Sequence, residues 1–467
     1  MAGPQPERIA GHSPASSGDA LPERKDVFDT VTSARALMGM ALGFHIVFAT
    51  IGIGLPPLLF ATEGLYLRTG KEMYRVMAKR WAVATAVLFA VGAVSGTILA
   101  FSFGLLWPSW TEFAGGIIGL AFFLEGFAFF TEAIFLGLYI YGWDKLSPKA
   151  HWLCTIPISV AALASAFFII SANSWMNQPT GFDIVNGVAT NVNPTAAMLT
   201  SRAFPYEFTH GALAAYVAMG LGIAGVYALA MLRGDRSDYN KKALMLGLGL
   251  AAVFAPLQVV TGDLSARHLA HHQPEKFAAM EGQYATQKGA PLRIGGIPFP
   301  NDHETKFAIE IPKLASFMAF EDFNAEVKGL DSFPQDEIPN VFLAHFPFQI
   351  MVALGFTFAG VSALFWGHAW WKKRIDPPRL LLAVLVLMGA LGFVAIEAGW
   401  FVTEFGRQPW VIYHIMKTSG GATSRSGIWV LLIVFGFVYM ALTVGLAGVL
   451  LLQQRGRTKT PRADEEA

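Results

Sequence analysis

Ile396-Glu397-Ala398-Gly399-Trp400-Phe401-Val402-Thr403-Glu404-Phe405-Gly406-Arg407-Gln408-Pro409-Trp410 begins inside an apolar run that starts at Leu380 and ends in a polar turn. Glu397 therefore falls within a membrane helix, a few residues from one end. An ionisable side chain at that depth is costly unless a partner, a metal or water meets it, so Glu397 is a functional candidate. Pro409 stops the helix, Arg407 carries charge to the interface, and Trp400 and Trp410 suit that boundary.

The rest of the 467-residue chain has the same character: 54% of residues are hydrophobic and 14% charged. A soluble protein carries about a quarter charged residues. The apolar residues lie in blocks, and about 20 such residues cross a bilayer. The expected fold is an all-α integral membrane protein, a bundle of about nine transmembrane helices with one long extracytoplasmic loop. The spans read as Ala36–Thr62, Trp81–Trp107, Gly115–Tyr141, Trp152–Ala172, Phe208–Leu232, Ala243–Gly262, Val341–Trp366, Leu380–Glu404 and Gly427–Leu452. They divide the chain into a polar N-terminal tail (1–35), helices one to six (36–262), the long loop (263–340), helices seven to nine (341–452) and a C-terminal tail (453–467). The polar N-terminal residues have no apolar core and read as a tail rather than a cleavable signal.

Net charge is +1, which gives no footprint for nucleic acid. The single cysteine, Cys154, excludes an internal disulfide, a cysteine-held iron–sulfur cluster and covalent haem attachment through two cysteines. Lysine and arginine crowd the loops after helices one, three, five and seven, and the C-terminal tail. That bias puts the N-terminus outside, the C-terminus in the cytoplasm and the long loop outside.

The intramembrane polar residues agree in depth. His45 (helix one), Glu125 and Glu132 (helix three), His210 (helix five), Met351 (helix seven) and Glu397 (helix eight) nearly all gather toward the outer half of the bilayer, with Glu132 the nearer of its pair to the cytoplasm. Histidine and methionine are axial haem ligands, and a single histidine or carboxylate leaves the sixth iron position open for oxygen. Ligands from separate helices suit a bundle-core cofactor site. Glu125 and Glu132 are seven apart, so they share a face about 10 Å apart along the axis and suggest a proton route. In the loop, Lys276 and Glu281 lie on a short helical segment, where they suit hydrogen bonding and proton acceptance at a quinone headgroup.

Each residue has a plainer reading when taken alone. Met351 is core filler, Lys276 and Glu281 a solvated pair, and His268, His271 and His272 solvated loop histidines. Glu397 would form a salt bridge with Arg407. Three buried carboxylates also suit an ion-coupled transporter, although the sequence shows neither the repeat symmetry nor the interrupted helices that this rival calls for.

The chain resembles subunit I of the cytochrome bd-type quinol oxidases over nearly all of its length after Arg35. The motifs are Gly399-Trp400 through Gly406-Arg407-Gln408-Pro409-Trp410, Leu124-Glu125-Gly126 to Phe130-Thr131-Glu132, Gly142-Trp143-Asp144, Asn173-Ser174-Trp175-Met176, Gly262-Asp263, and Lys276 to Glu281. The resemblance implies that His210 and Met351 ligate a low-spin haem b. It also implies that His45 and Glu397 serve two high-spin haems, b and d, or b-type in place of d. Glu125 would sit beside that pair and Glu132 on the proton path. Residues 263–340 would be a short quinol-binding loop with Lys276 and Glu281 at membrane quinol. The implied partners are subunit II, a small single-helix subunit, quinol, dioxygen and the lipid of a bacterial cytoplasmic membrane. Gln349, where some relatives carry arginine, and Glu207, where some carry a basic residue, depart from the pattern.

Overall fold

The computed structural model describes residues 29–457. The expected tails lie outside it, apart from residues 29–35 and 453–457. Among the described residues, nine helical segments are long and apolar enough to cross a membrane, as composition predicts.

The first span is two helices, α1 (Thr30–Gly54) and α2 (Pro56–Thr69). The break falls at Leu55 because Pro56 and Pro57 cannot continue the hydrogen-bond ladder, whereas proline is well suited to start the next helix. There follow α3 (Glu72–Leu106), α4 (Pro108–Tyr141), short α5 (Pro148–Leu153), α6 (Thr155–Asn177), short α7 (Pro194–Leu199) and α8 (Phe204–Leu232). Next come α9 (Asp238–His272), α10 (Pro274–Glu281), α11 (Leu314–Phe320), α12 (Val341–Lys372), α13 (Arg379–Arg407), α14 (Thr418–Gly421) and α15 (Ile428–Arg457).

Helix α9 continues ten residues past the expected end at Gly262, to His272. Asp263 and its neighbours are therefore helical rather than loop. Arg267 donates to Asp263 one turn back at 2.8 Å, which supports the extension.

The strands are short antiparallel pairs in the connections: β1–β2 (Asp183–Val185, Val188–Thr190), β3–β6 (Gln287–Lys288, Glu326–Val327), β4–β5 (Leu292–Phe299, Glu304–Ile311) and β7–β8 (Trp410–Ile412, Met416–Lys417). The long loop thus contains α10, a hairpin and α11.

Helices α8, α9, α12 and α13 share one apolar core. Small residues let their backbones meet: a Cβ at Gly220 would stand 2.7 Å from the carbonyl oxygen of Gly247. A second core joins α1, α4 and α6 around Trp107, Trp110 and Trp175. The outer faces of α4 (Phe123, Phe127, Phe130, Ile134) and α15 (Ile433, Val434, Phe437, Met440) expose large apolar side chains. Exposed apolar surface of that extent belongs against lipid or a partner subunit.

Candidate functional site

One cavity of about 2300 Å³ runs through the bundle, and ten candidate residues line it: His45, Glu125, Glu132, His210, Lys276, Glu281, Met351, Glu397, Trp400 and Arg407. Drug-sized ligands occupy about 300–1,000 Å³, so this space suits several large groups. Interiors are otherwise close-packed.

His45 on α1 places Nδ1 3.0 Å from Ser95 Oγ of α3. That contact orients the ring and leaves Nε2 for a ligand. Glu397 of α13 lies against the same stretch of α1, with Oε2 3.3 Å from where a Cβ on Gly43 would be. Its other oxygen is buried without a partner. On α4, Glu125 accepts a 3.0 Å hydrogen bond from Ser165 of α6. Glu132, two turns on, is 6% exposed, and its Oε1 has no partner.

His210 on α8 faces Gln258 of α9, whose Nε2 stands 3.0 Å from the ring Nε2. Met351 on α12 lies beside α13, its sulfur 3.2 Å from where a Cβ on Gly399 would be. Trp400 also lines the cavity.

At the end of the cavity beside α10, Lys276 and Glu281 are 3% and 6% exposed, so the solvated-pair reading is corrected. Helix α10 is tucked against α12 and α13 rather than free in solvent. Burial lowers the Lys276 amine to about 8, partly offset by the Glu207 carboxylate. Burial raises Glu281 to about 7, partly offset by the Arg293 guanidinium. Lys276 Nζ donates to the Thr403 carbonyl at 3.3 Å, and Glu281 Oε2 has no partner.

Arg407 pairs with Glu404 at 2.6 Å, not with Glu397, because the 404–407 spacing puts both on one face of the last turn. Its Nε and Nη1 remain buried and unpartnered beside the cavity. Glu404 also accepts from Asn173 Nδ2 at 2.7 Å. Glu207 accepts from Ser174 Oγ at 2.7 Å and Asn177 Nδ2 at 2.9 Å. Sequence reasoning gave Glu404 no role and treated Glu207 only as a departure. The signal was Asn173-Ser174, two polar residues at the end of an apolar helix. His268 is also buried rather than solvated, stacked on Tyr206 and His272 at ring distances of 4.5 and 4.2 Å.

The donor set fits haem. Two histidines, a methionine and carboxylates reach one apolar-walled space from separate helices, and several of their polar atoms are buried without a protein partner. Among the described residues, no three His, Cys, Asp or Glu side chains converge to hold a bare metal ion.

A family model described as cytochrome bd terminal oxidase subunit I matches residues 33–458. A Bacillus subtilis (strain 168) protein provisionally named cytochrome bd menaquinol oxidase subunit I is 39% identical, over 91% of this chain and 96% of its own length. The cytochrome bd ubiquinol oxidase subunit 1 of the same organism is 33% identical, over 85% and 88%. The structure of bd oxidase from Geobacillus thermodenitrificans superposes with a TM-score of 0.86 at 37% identity, covering 92% of this chain and 99% of that one. On these grounds the chain belongs to the cytochrome bd terminal oxidase subunit I family.

Proposed function

We propose that this subunit of a terminal quinol oxidase oxidises membrane quinol at the outer face and reduces dioxygen to water with cytoplasmic protons. The products are quinone and water, and the separated protons generate a proton motive force without pumping. The cavity carries this reading: all ten residues line it, and several of its polar atoms lack a protein partner. Membership of an oxidase family displaces the transporter alternative.

His210 and Met351 would hold a low-spin haem b, a pairing that favours a higher potential. His45 and a carboxylate of α13 would hold two high-spin haems, of b and d type or both b. Two α13 carboxylates line the cavity, Glu397 and Glu404. Glu397 is favoured by its free oxygen, since Asn173 and Arg407 occupy Glu404. Bound there, haems would supply the electron-transfer and oxygen-reducing chemistry.

The protein supplies the protons and the orientation. Lys276 donates a hydrogen bond to a quinol oxygen. Glu281, raised to about 7, takes up a proton that quinol releases. Glu132 and Glu125 hold protons in line toward the oxygen side. Arg407 offers its two unpartnered donors to an anionic group in the cavity, such as a propionate. Subunit II and a small single-helix subunit would cover the apolar outer faces. The N-terminus would lie outside and the C-terminus inside a bacterial cytoplasmic membrane.

The test is the optical spectrum of the purified complex. His210→Ala and Met351→Leu should each abolish the low-spin haem band while carbon monoxide binding persists. Unchanged low-spin absorbance in both variants removes the assignment.

A further inference from the structure

His345 and Gln349 are one turn apart on α12, and both grip the strand β4 of the outer hairpin. His345 is fully buried. Its Nδ1 lies 2.7 Å from the carbonyl oxygen of Met280, and its Nε2 3.1 Å from that of Gly295. Gln349 Nε2 donates to the Arg293 carbonyl at 3.1 Å, and its Oε1 accepts from Gly295 N at 2.9 Å. The chain turns sharply at Gly282, where φ is +62° and a Cβ would stand 3.3 Å from His345 Nδ1. Thr305 of β5 closes the turn by donating to the Gly282 carbonyl at 2.8 Å. Arg293 reaches back to Gln283 at 2.5 Å and to Glu310 at 3.0 Å.

We infer that His345 and Gln349 are positioning residues for quinol oxidation: together they clasp the end of α10 and strand β4 onto α12, and so hold Glu281 in register with Met351. This rests on the reading of Lys276 and Glu281 as the quinol site.

The chemistry of the two side chains fits the task. Strand β4 pairs on one edge with β5, so backbone groups on its other edge need partners. Gln349 offers a donor and an acceptor at once, matching a peptide unit's own pattern. His345 lies within hydrogen-bonding distance of two carbonyl oxygens, and its ring N–H donates to one of them. Neither phenylalanine nor leucine can do so. The clasp joins a loop residue adjoining Glu281 to the helix that carries Met351 two residues beyond Gln349.

Loosening the clasp makes quinol order the loop as it binds, which appears in KM rather than in the haem spectrum. In the assembled complex, His345→Phe and Gln349→Leu should each raise quinol KM by about tenfold, the equivalent of one or two net hydrogen bonds. The turnover number should stay within about twofold, and the low-spin and carbon monoxide difference spectra should be unchanged. Gln349→Glu, which keeps the acceptor but sets a carboxylate against the Arg293 carbonyl, should resemble Gln349→Leu.

Lys276→Ala is measured beside them. If it raises KM while both clasp variants leave KM unchanged, the clasp has no positioning role and the quinol-site reading stands. If Lys276→Ala and Glu281→Gln also leave quinol kinetics unchanged, the site reading fails and takes this inference with it. Loss of the low-spin band in both clasp variants overturns the inference by making the pair a support of the haem pocket instead.

Discussion

Gly96 of α3 presses against the ring of His45 on α1: a Cβ at position 96 would stand 2.9 Å from Cε1 and 3.5 Å from each ring nitrogen. Only glycine leaves that ring where Ser95 can orient it. Gly96→Ala should therefore displace His45 and, if His45 holds a high-spin haem, weaken carbon monoxide binding by on the order of tenfold. The low-spin band should persist. A carbon monoxide difference spectrum identical to that of the parent would remove His45 from the oxygen site.

The two loop groups titrate near neutrality in opposite senses. Glu281, raised to about 7, accepts a proton only when ionised, so turnover with quinol should fall as pH drops below about 7. Lys276, lowered to about 8, loses its charge above that value, so quinol KM should rise at higher pH. Glu281→Gln should abolish the acid limb and Lys276→Ala the alkaline limb. Profiles whose limbs survive these changes would assign the titrations to other groups.

Glu397 and Glu404 are the two α13 carboxylates that line the cavity. Glu397→Gln should reduce high-spin haem absorbance, because its free oxygen faces the cavity. Glu404→Gln should chiefly disturb Arg407 and Asn173, whose bonds to it are 2.6 and 2.7 Å. Pigment analysis of both variants decides the matter: loss of high-spin haem in the Glu404 variant alone would transfer the ligand assignment to it.

Away from the cavity, His151 of α5 joins Glu63 of α2 at 2.7 Å and the Tyr139 carbonyl of α4 at 2.7 Å. Both side chains are 2% exposed. His151→Phe strands a buried carboxylate oxygen and a buried carbonyl, which costs about 1–3 kcal/mol for each unsatisfied group. The complex should melt at a lower temperature with its haem spectrum intact. An unchanged Tm would mean that water or movement of α5 replaces the lost bonds.

Much of the site was legible because burial of charge in lipid is costly at any position. His45, Glu125, Glu132, His210 and Glu397 stand out in apolar runs without any knowledge of their neighbours, and the cavity collects all of them. Glu404 and Arg407 were harder to place. They fall at a helix end, where a charged residue is ordinarily solvated, but distant segments pack there: Lys276 of α10 lies against Gly406, Asn173 of α6 bonds Glu404, and Arg407 is buried. Lys276 and Glu281 look like a surface pair because nothing in their own segment announces what will cover it.

What the amino-acid order determined by itself is the number and approximate extent of the spans, since each depends on local hydropathy over about 20 residues. Proline and glycine likewise punctuate the helices locally. The tertiary structure alone decided that Lys276, Glu281 and Arg407 are buried beside the cavity and that His345 and Gln349 close on β4. Each of these joins groups that meet only after folding, or depends on surroundings assembled by distant segments. A hydrogen bond between residues about 50 positions apart leaves no periodic trace in either partner.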